Sequence, residues 1–394
     1  MLSYRFILMT ILVVIFSVPI CLGQSINGDN LKHLLEGARA SNTEALIVYQ
    51  NDRLVLEEYM GVGQPDAKIE SMSCTKSIVG LAVACLLTDG LLKNLDVPVY
   101  EFYPEWKQGQ KQMITVRHLV TMTSGLQNNP NASVEIYPSP DFVQLALAGE
   151  LSTVPGEVWS YNNKSLNLMA GVIQKITGKR MDVYIEERLF KPLAVTDFTW
   201  SLDPSGNPHV MSGCQIKPSD FAKIGLLLLN KGKFGNVQVI KSSDVEQVIT
   251  PCEKFKGYGM LWWLDYQHTI TIVNDDIIAN LKKAELPIDF IKKAQQLKGV
   301  YKTTDEYGAK VESVFGANPW QSINEILAPR NLTLRKREFS GKVTYRADGY
   351  LGNYIIVDPE NKLVAVRMIS HSSFKDDKDN FHDFRNRVLN LCNK

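Results

Sequence analysis

The sequence predicts an α/β protein: an antiparallel sheet flanked by helices, with a mainly helical second subdomain. Three observations carry this. Strand patterns lie near both chain ends, at residues 45–50 and 54–59 and again at 353–357 and 362–369, so the two ends build one sheet. The stretch between, from 93 to 265, is dominated by helical periodicity, as at 142–148, 165–177 and 219–229. Joining the two parts is a helix pattern at 77–92 that is apolar on every side, which places it in the interior.

In chain order, Arg5 precedes an unbroken apolar run at 6–15, then Pro19, then the small residues Cys21 and Gly23 at the spacing signal peptidase prefers. This predicts a signal peptide over 1–23, with cleavage before Gln24 and export to a periplasmic or extracellular space. A retained membrane anchor is the alternative, since 6–23 is just long enough to span. Residues 24–92 form the N-terminal part of the sheet domain, with a helix at 29–39, the first two strands, and the apolar helix closed by Asp89-Gly90. Residues 93–265 make the helical subdomain. An insertion comes next at 266–340, with helix patterns at 276–284, 287–297 and 319–328, and is a candidate lid. Residues 341–394 complete the sheet domain with two strands joined by Asp358-Pro359-Glu360-Asn361 and a final helix carrying Phe381, Phe384, Val388 and Leu391 on one face.

The chemistry begins at Ser73-Cys74-Thr75-Lys76, just ahead of the apolar helix. Residues three apart share a helix face, so Lys76 reaches back to the Ser73 hydroxyl. A serine is a weak nucleophile until a base takes its proton, and a lysine buried by such a helix has its pKa lowered from about 10.4 towards neutrality. Ser73 also sits at a helix N-terminus, where free N–H groups favour developing negative charge. A second Ser-x-x-Lys string, at 372–375, has no apolar helix behind it and is read as chance.

Two further motifs add partners. Tyr161-Asn162-Asn163 comes after the turn Pro155-Gly156 and precedes an amphipathic helix. Tyr161 can relay a proton to a leaving group, and Asn163 can bind the substrate carbonyl or hold Lys76. Arg346-Ala347-Asp348-Gly349-Tyr350 leads into the last strands, with Tyr350 expected on the edge strand, where Gly349 permits close backbone approach and the Tyr350 N–H can pair with the Ser73 N–H as an oxyanion hole.

The three motifs, in this order, resemble those of the serine β-lactamase and penicillin-binding-protein superfamily, in its class C-like branch of esterases and aminohexanoate-oligomer hydrolases. Residues 114–126 and 217–225 look like further characteristic segments of that group. The resemblance implies a β-lactamase/transpeptidase-like fold, Ser73 as the acylated serine, Lys76 as its base, and Tyr161 and Asn163 as the second motif. The third motif departs from the pattern: where antibiotic-hydrolysing members have Lys-Thr-Gly, this chain has Ala347-Asp348-Gly349. The missing lysine removes a contact to a substrate carboxylate, of the kind usually worth about 1.5 to 3 kcal/mol. Arg346 is one residue away, and strand alternation points it to the opposite face.

Composition excludes other classes. Lys and Arg number 43 against 42 Asp and Glu, a net charge of +1, so neither nucleic acid nor an anionic membrane surface is indicated as partner. The six histidines form no metal-spaced pair, and no metal or cofactor is expected. Removal of Cys21 with the leader leaves five cysteines, an odd number that argues against a full disulfide framework. The expected function is an exported serine hydrolase cleaving a small ester or amide through a Ser73 acyl-enzyme, with no membrane association once the leader is removed. The alternatives are a β-lactamase or D-aminoacyl peptidase, or a penicillin-binding sensor that does not turn over. Oligomeric state is not legible.

Overall fold

Residues 45–50 are apolar on both faces and form β1 (Ala45–Gln50), the second strand of a seven-stranded antiparallel sheet. A short turn returns the chain as β2 (Arg53–Tyr59), whose exposed side chains suit the sheet edge. In the computed structural model, residues 24–393 are described apart from 318, 328, 329 and 331; the predicted leader lies outside them.

The other strands are β3 (Ile69–Glu70), β4 (Phe198–Trp200), β5 (Cys214–Ile216), β6 (Lys233–Phe234), β7 (Val237–Gln238), β8 (Trp263–Val273), β9 (Gly299–Tyr301), β10 (Lys336–Gly349), β11 (Asn353–Asp358) and β12 (Leu363–Met368). The main sheet runs β2-β1-β12-β11-β10-β8-β9, so β1 pairs with β12 and the two chain ends do close one sheet. A second sheet, β3-β5-β4, ties the segment before Ser73 to the helical part.

Two cores lie on opposite faces of the sheet, as the side-chain period of two requires. Leu46, Val48, Ile356 and Ala365 pack under α1 (Gly28–Ala40) and the C-terminal helix. Ala45, Ile47, Ile355 and Val357 join the larger core around α2 (Thr75–Thr88), α3 (Phe142–Ala148), α4 (Asn163–Leu166), α5 (Leu168–Thr177) and α6 (Pro218–Leu229). Ten consecutive residues of α2, 76–85, are all buried, and each fully buried aliphatic side chain there contributes roughly 1.5–3 kcal/mol.

Three expectations change. The 165–177 helix is two, broken at Asn167, whose side chain accepts from the Val210 N–H at 3.1 Å. The third motif does not end an edge strand: β10 lies between β11 and β8, and Tyr350 falls in a 3₁₀ turn (Tyr350–Gly352) after it. The segment from 263 to 349 is built on a long hairpin arm, β8 with β10, that extends the sheet and kinks at a register shift between Ser340 and Val343. Helices α7 (Asp275–Lys283), α8 (Ile288–Gln295), α9 (Thr304–Phe315) and α10 (Trp320–Leu327) close on the arm with their own core of Ile278, Leu281, Phe290, Tyr307 and Val311. The chain ends with α11 (Phe384–Leu389). Among the described residues, no helix is long and apolar enough to cross a membrane.

Candidate active site

Ser73 lies in a 3₁₀ turn (Met72–Cys74) that runs directly into α2. The residue before it, Met72, has φ +50°, a left-handed conformation that costs an L-residue about 1–2 kcal/mol. The turn is held by Ser71, whose hydroxyl meets that of Thr75 at 3.0 Å and whose N–H donates to the Cys214 carbonyl at 2.8 Å. Glu70 accepts from the Gly213 N–H at 3.1 Å on the same side.

One turn into α2, Lys76 is 1 % exposed, and its Nζ donates to Ser73 Oγ at 2.9 Å and to the Met211 carbonyl at 2.7 Å. No carboxylate pairs with it among the described residues, so burial pushes the ammonium down to about 7, opposed only slightly by the buried Cys74 thiol. A neutral amine hydrogen-bonded to a serine hydroxyl is a base in position. Cys74 itself is buried, its thiol is pushed well up by desolvation, and its Sγ is spent on the Asn353 carbonyl at 3.2 Å.

Tyr161 closes the other side. Its ring centre is 5.0 Å from Lys76 Nζ, and burial pushes the phenol up to about 12, with the adjacent Ser73 hydroxyl pulling the other way. The ring is stacked on Trp263 at 6.1 Å and meets Tyr258 edge-on at 6.5 Å, so its orientation is fixed by packing. Asn162 and Asn163 divide the roles expected of one amide. Asn162 is buried and structural: Oδ1 accepts from the Ser165 N–H at 2.8 Å and Nδ2 donates to the Leu126 carbonyl at 2.7 Å. Asn163 Oδ1 is buried with no partner among the described residues. Lys76 is held by the Met211 carbonyl rather than by Asn163.

The third motif enters from β10. A Cβ on Gly349 would stand 2.6 Å from the Ser71 carbonyl oxygen and 3.2 Å from Cys74 Sγ, so only glycine lets the strand end approach the Ser73 turn this closely. Asn353, fully buried, anchors the turn that Tyr350 opens: its amide donates to the Ile369, Tyr350 and Glu70 carbonyls at 3.2, 3.3 and 3.4 Å and accepts from the Ile369 N–H at 2.8 Å. The Tyr350 and Ser73 amides are used by no loop or turn hydrogen bond among the described residues. Tyr350's ring is two-thirds exposed and lies 6.2 Å from that of Phe374.

Ala347 is fully buried in the main core with Ile355. Arg346 shares a face with Asp348, its ion-pair partner, and donates through Nε to Asp265 at 2.7 Å, an aspartate also paired with Arg385 of α11. Its charge is therefore met within the sheet domain. Sequence reasoning missed Met211, Asn353, Tyr258 and Trp263. Met211 acts through a backbone carbonyl, which leaves no mark in a sequence.

A family model described as Beta-lactamase matches residues 31–232, just over half of the chain. Protein flp of Staphylococcus aureus is 26% identical over 204 residues, covering 48% of this chain and 40% of its own length, so the chain spans about two fifths of the curated relatives it matches. A Bacillus anthracis structure assigned provisionally as a 6-aminohexanoate-dimer hydrolase superposes with a TM-score of 0.63 at 18% identity, over 92% of this chain and 81% of that one. A D-stereospecific amidohydrolase from Streptomyces sp. gives 0.56 at 15% identity, over 91% and 98%. Likeness at these identities shows the fold.

Proposed function

The chain belongs to the Beta-lactamase family, and from that premise we propose that it is an exported serine hydrolase that cleaves an ester or amide through an acyl-enzyme on Ser73. The observation that carries this reading is the buried, unpaired Lys76, whose Nζ bonds Ser73 Oγ at 2.9 Å. Neutral Lys76 takes the Ser73 proton as Oγ attacks the carbonyl carbon, and the oxyanion is held by the Ser73 and Tyr350 N–H groups. Tyr161 gives its proton to the leaving alkoxide or amine and regains one from Lys76. Water then attacks the ester carbonyl by the reverse route and frees Ser73. Asn163, whose Oδ1 is buried, offers its amide N–H groups to the substrate carbonyl.

Ala347 and the paired Arg346 argue against recognition of a carboxylate next to the scissile bond, and so against β-lactams as the natural substrate. The leader pattern at 1–23 supports export. The insertion joins the Val273 end of β8 to the Lys336 end of β10, the ends away from Trp263 and Gly349, so its role as a lid rests on deletion of 275–330, read through the acyl-length preference of the folded remainder.

The function is tested by hydrolysis of short-acyl p-nitrophenyl esters, D-aminoacyl anilides and nitrocefin, with Ser73→Ala as control. Ester or anilide turnover that vanishes in Ser73→Ala, with little on nitrocefin, is expected. Stable acylation by penicillin without turnover would replace this reading with that of a binding protein.

A further inference from the structure

For a chain with a net charge of +1, the cations beside the cleft are unevenly distributed. Two short basic segments, Lys254-Phe255-Lys256 from the helical part and Arg335-Lys336-Arg337 from the start of β10, meet at one ring: the Arg337 guanidinium lies over Phe255 at 5.5 Å. Lys254 is paired with Glu253 at 3.5 Å and Lys336 with Glu338 at 3.1 Å. Lys256, Arg335 and Arg337 have no carboxylate within ion-pair distance among the described residues. Arg335 is stacked on Tyr307 at 5.0 Å and Trp320 at 5.3 Å, and the Arg337 guanidinium, disfavoured first by burial, is disfavoured further by the charge of Arg335.

The cluster is continuous with the candidate active site. Phe255 touches Trp159 at 4.5 Å and Trp263 at 6.5 Å, and Trp263 is the ring on which Tyr161 stacks. The Trp159 indole N–H in this wall is buried and has no acceptor among the described residues. Arg335 and Arg337 are half-buried beside this wall, and like charges half-buried together are costly unless an anion joins them. Planar guanidinium groups fixed on aromatic rings are preorganised for two-pronged recognition of carboxylate or phosphate.

We propose that Arg335, Arg337 and Lys256 bind an anionic group, carboxylate or phosphate, carried by an extended substrate several bonds beyond the scissile ester or amide. This rests on the hydrolase reading above and gives its substrate a class: an acidic oligomer whose charge lies far from the reacting carbonyl. It also accounts for Ala347, because an anchor on the insertion arm takes over what a third-motif lysine would do at short range.

The test separates binding from turnover. Using the Ser73→Ala form of the whole chain, fluorescein-labelled hexaglutamate and its neutral analogue hexaglutamine are titrated by anisotropy, with tripolyphosphate as competitor. Hexaglutamate is expected to bind, weakening steeply with salt, and hexaglutamine not to bind. Arg335→Gln/Arg337→Gln should lose at least tenfold in affinity, and the exposed-side variant Lys256→Gln severalfold with no change in thermal stability. Strong competition by tripolyphosphate would assign the site to phosphate, and weak competition to carboxylate. Equal binding of the two peptides, or anion affinity unchanged in a folded Arg double variant and in Lys256→Gln, would overturn the proposal. In the active chain, the Arg variants should lower kcat/KM for a hexaglutamyl ester and leave a short acetyl ester untouched. Absence of any Ser73-dependent turnover would defeat the hydrolase reading alone, because anion binding is read without it.

Discussion

Lys76→Met should yield an inactive protein that is more stable than the parent, by an amount that depends on pH. The fall of the Lys76 ammonium from 10.5 to about 7 corresponds to about 5 kcal/mol of preference for the neutral amine. Between those two values the unfolded chain carries the proton and the folded chain does not. The unfolded state thus binds more protons, and parent stability rises with pH across that window and is flat below it. Methionine fills nearly the same volume without this cost. The stability advantage of Lys76→Met should therefore grow by about 3 kcal/mol as pH falls from 9.5 to 7, read from urea unfolding of both proteins at several pH values. The same group sets activity: with a value of about 7, about a tenth of the lysine is neutral at pH 6 and about nine tenths at pH 8, so kcat/KM should rise roughly tenfold with a midpoint near 7. A stability difference that does not change with pH, or a rate profile with its midpoint above 9, would refute the assignment of Lys76 as a neutral base.

Tyr161→Phe keeps the stacking on Trp263 and removes the hydroxyl, so turnover should drop about 100-fold or more while the melting temperature stays within a degree or two. Ala347→Lys should not create a β-lactamase: the new ammonium would be buried in the main core without a partner, costing about 3 to 5 kcal/mol, and nitrocefin hydrolysis should not appear. Gly349→Ala forces a Cβ against the Ser71 carbonyl and should cost about 1–3 kcal/mol, together with tenfold or more in kcat at unchanged KM. Asn353→Ala removes the amide that joins β11 to the Ile369, Tyr350 and Glu70 backbones and should lower unfolding free energy by about 2–4 kcal/mol in denaturant titration.

Where local signals agree with tertiary demands, the elements were legible. The helix at 142–148 is capped by Asp141, which accepts from the Val143 and Gln144 N–H groups, and the periodicity beyond the cap is that of a helix against a core. Asn167 shows the opposite case: nothing local ends a helix there, and a bond to Val210, 43 residues away, does. Helix α9 was missed although its signal was present, since Thr303 and Glu306 form a reciprocal capping box. The alternation in β8 was overlooked for another reason: its side chains are mostly only partly buried, and His268 breaks the apolar row of Leu264, Tyr266, Ile270 and Ile272. In the site, Ser73 and Lys76 could be paired from their spacing because one helix turn fixes their geometry. The Met211 carbonyl that holds Lys76 comes from 135 residues away, and no side-chain pattern announces a backbone acceptor.

Among the described residues, five free thiols, at 74, 85, 214, 252 and 392, are all buried and lie on different elements. Each is at most 8 % exposed, so reaction with a thiol reagent is slow until its own neighbourhood opens. Cys392 beside the C-terminus reports fraying there, Cys252 reports the loop that carries Phe255, and Cys74, Cys85 and Cys214 report loss of the central packing. Labelling rates at the five positions therefore form a natural set of clocks, graded from local to global opening, that needs no engineered probe. An oxidising surrounding would act on the same schedule, damaging the chain only as fast as it unfolds.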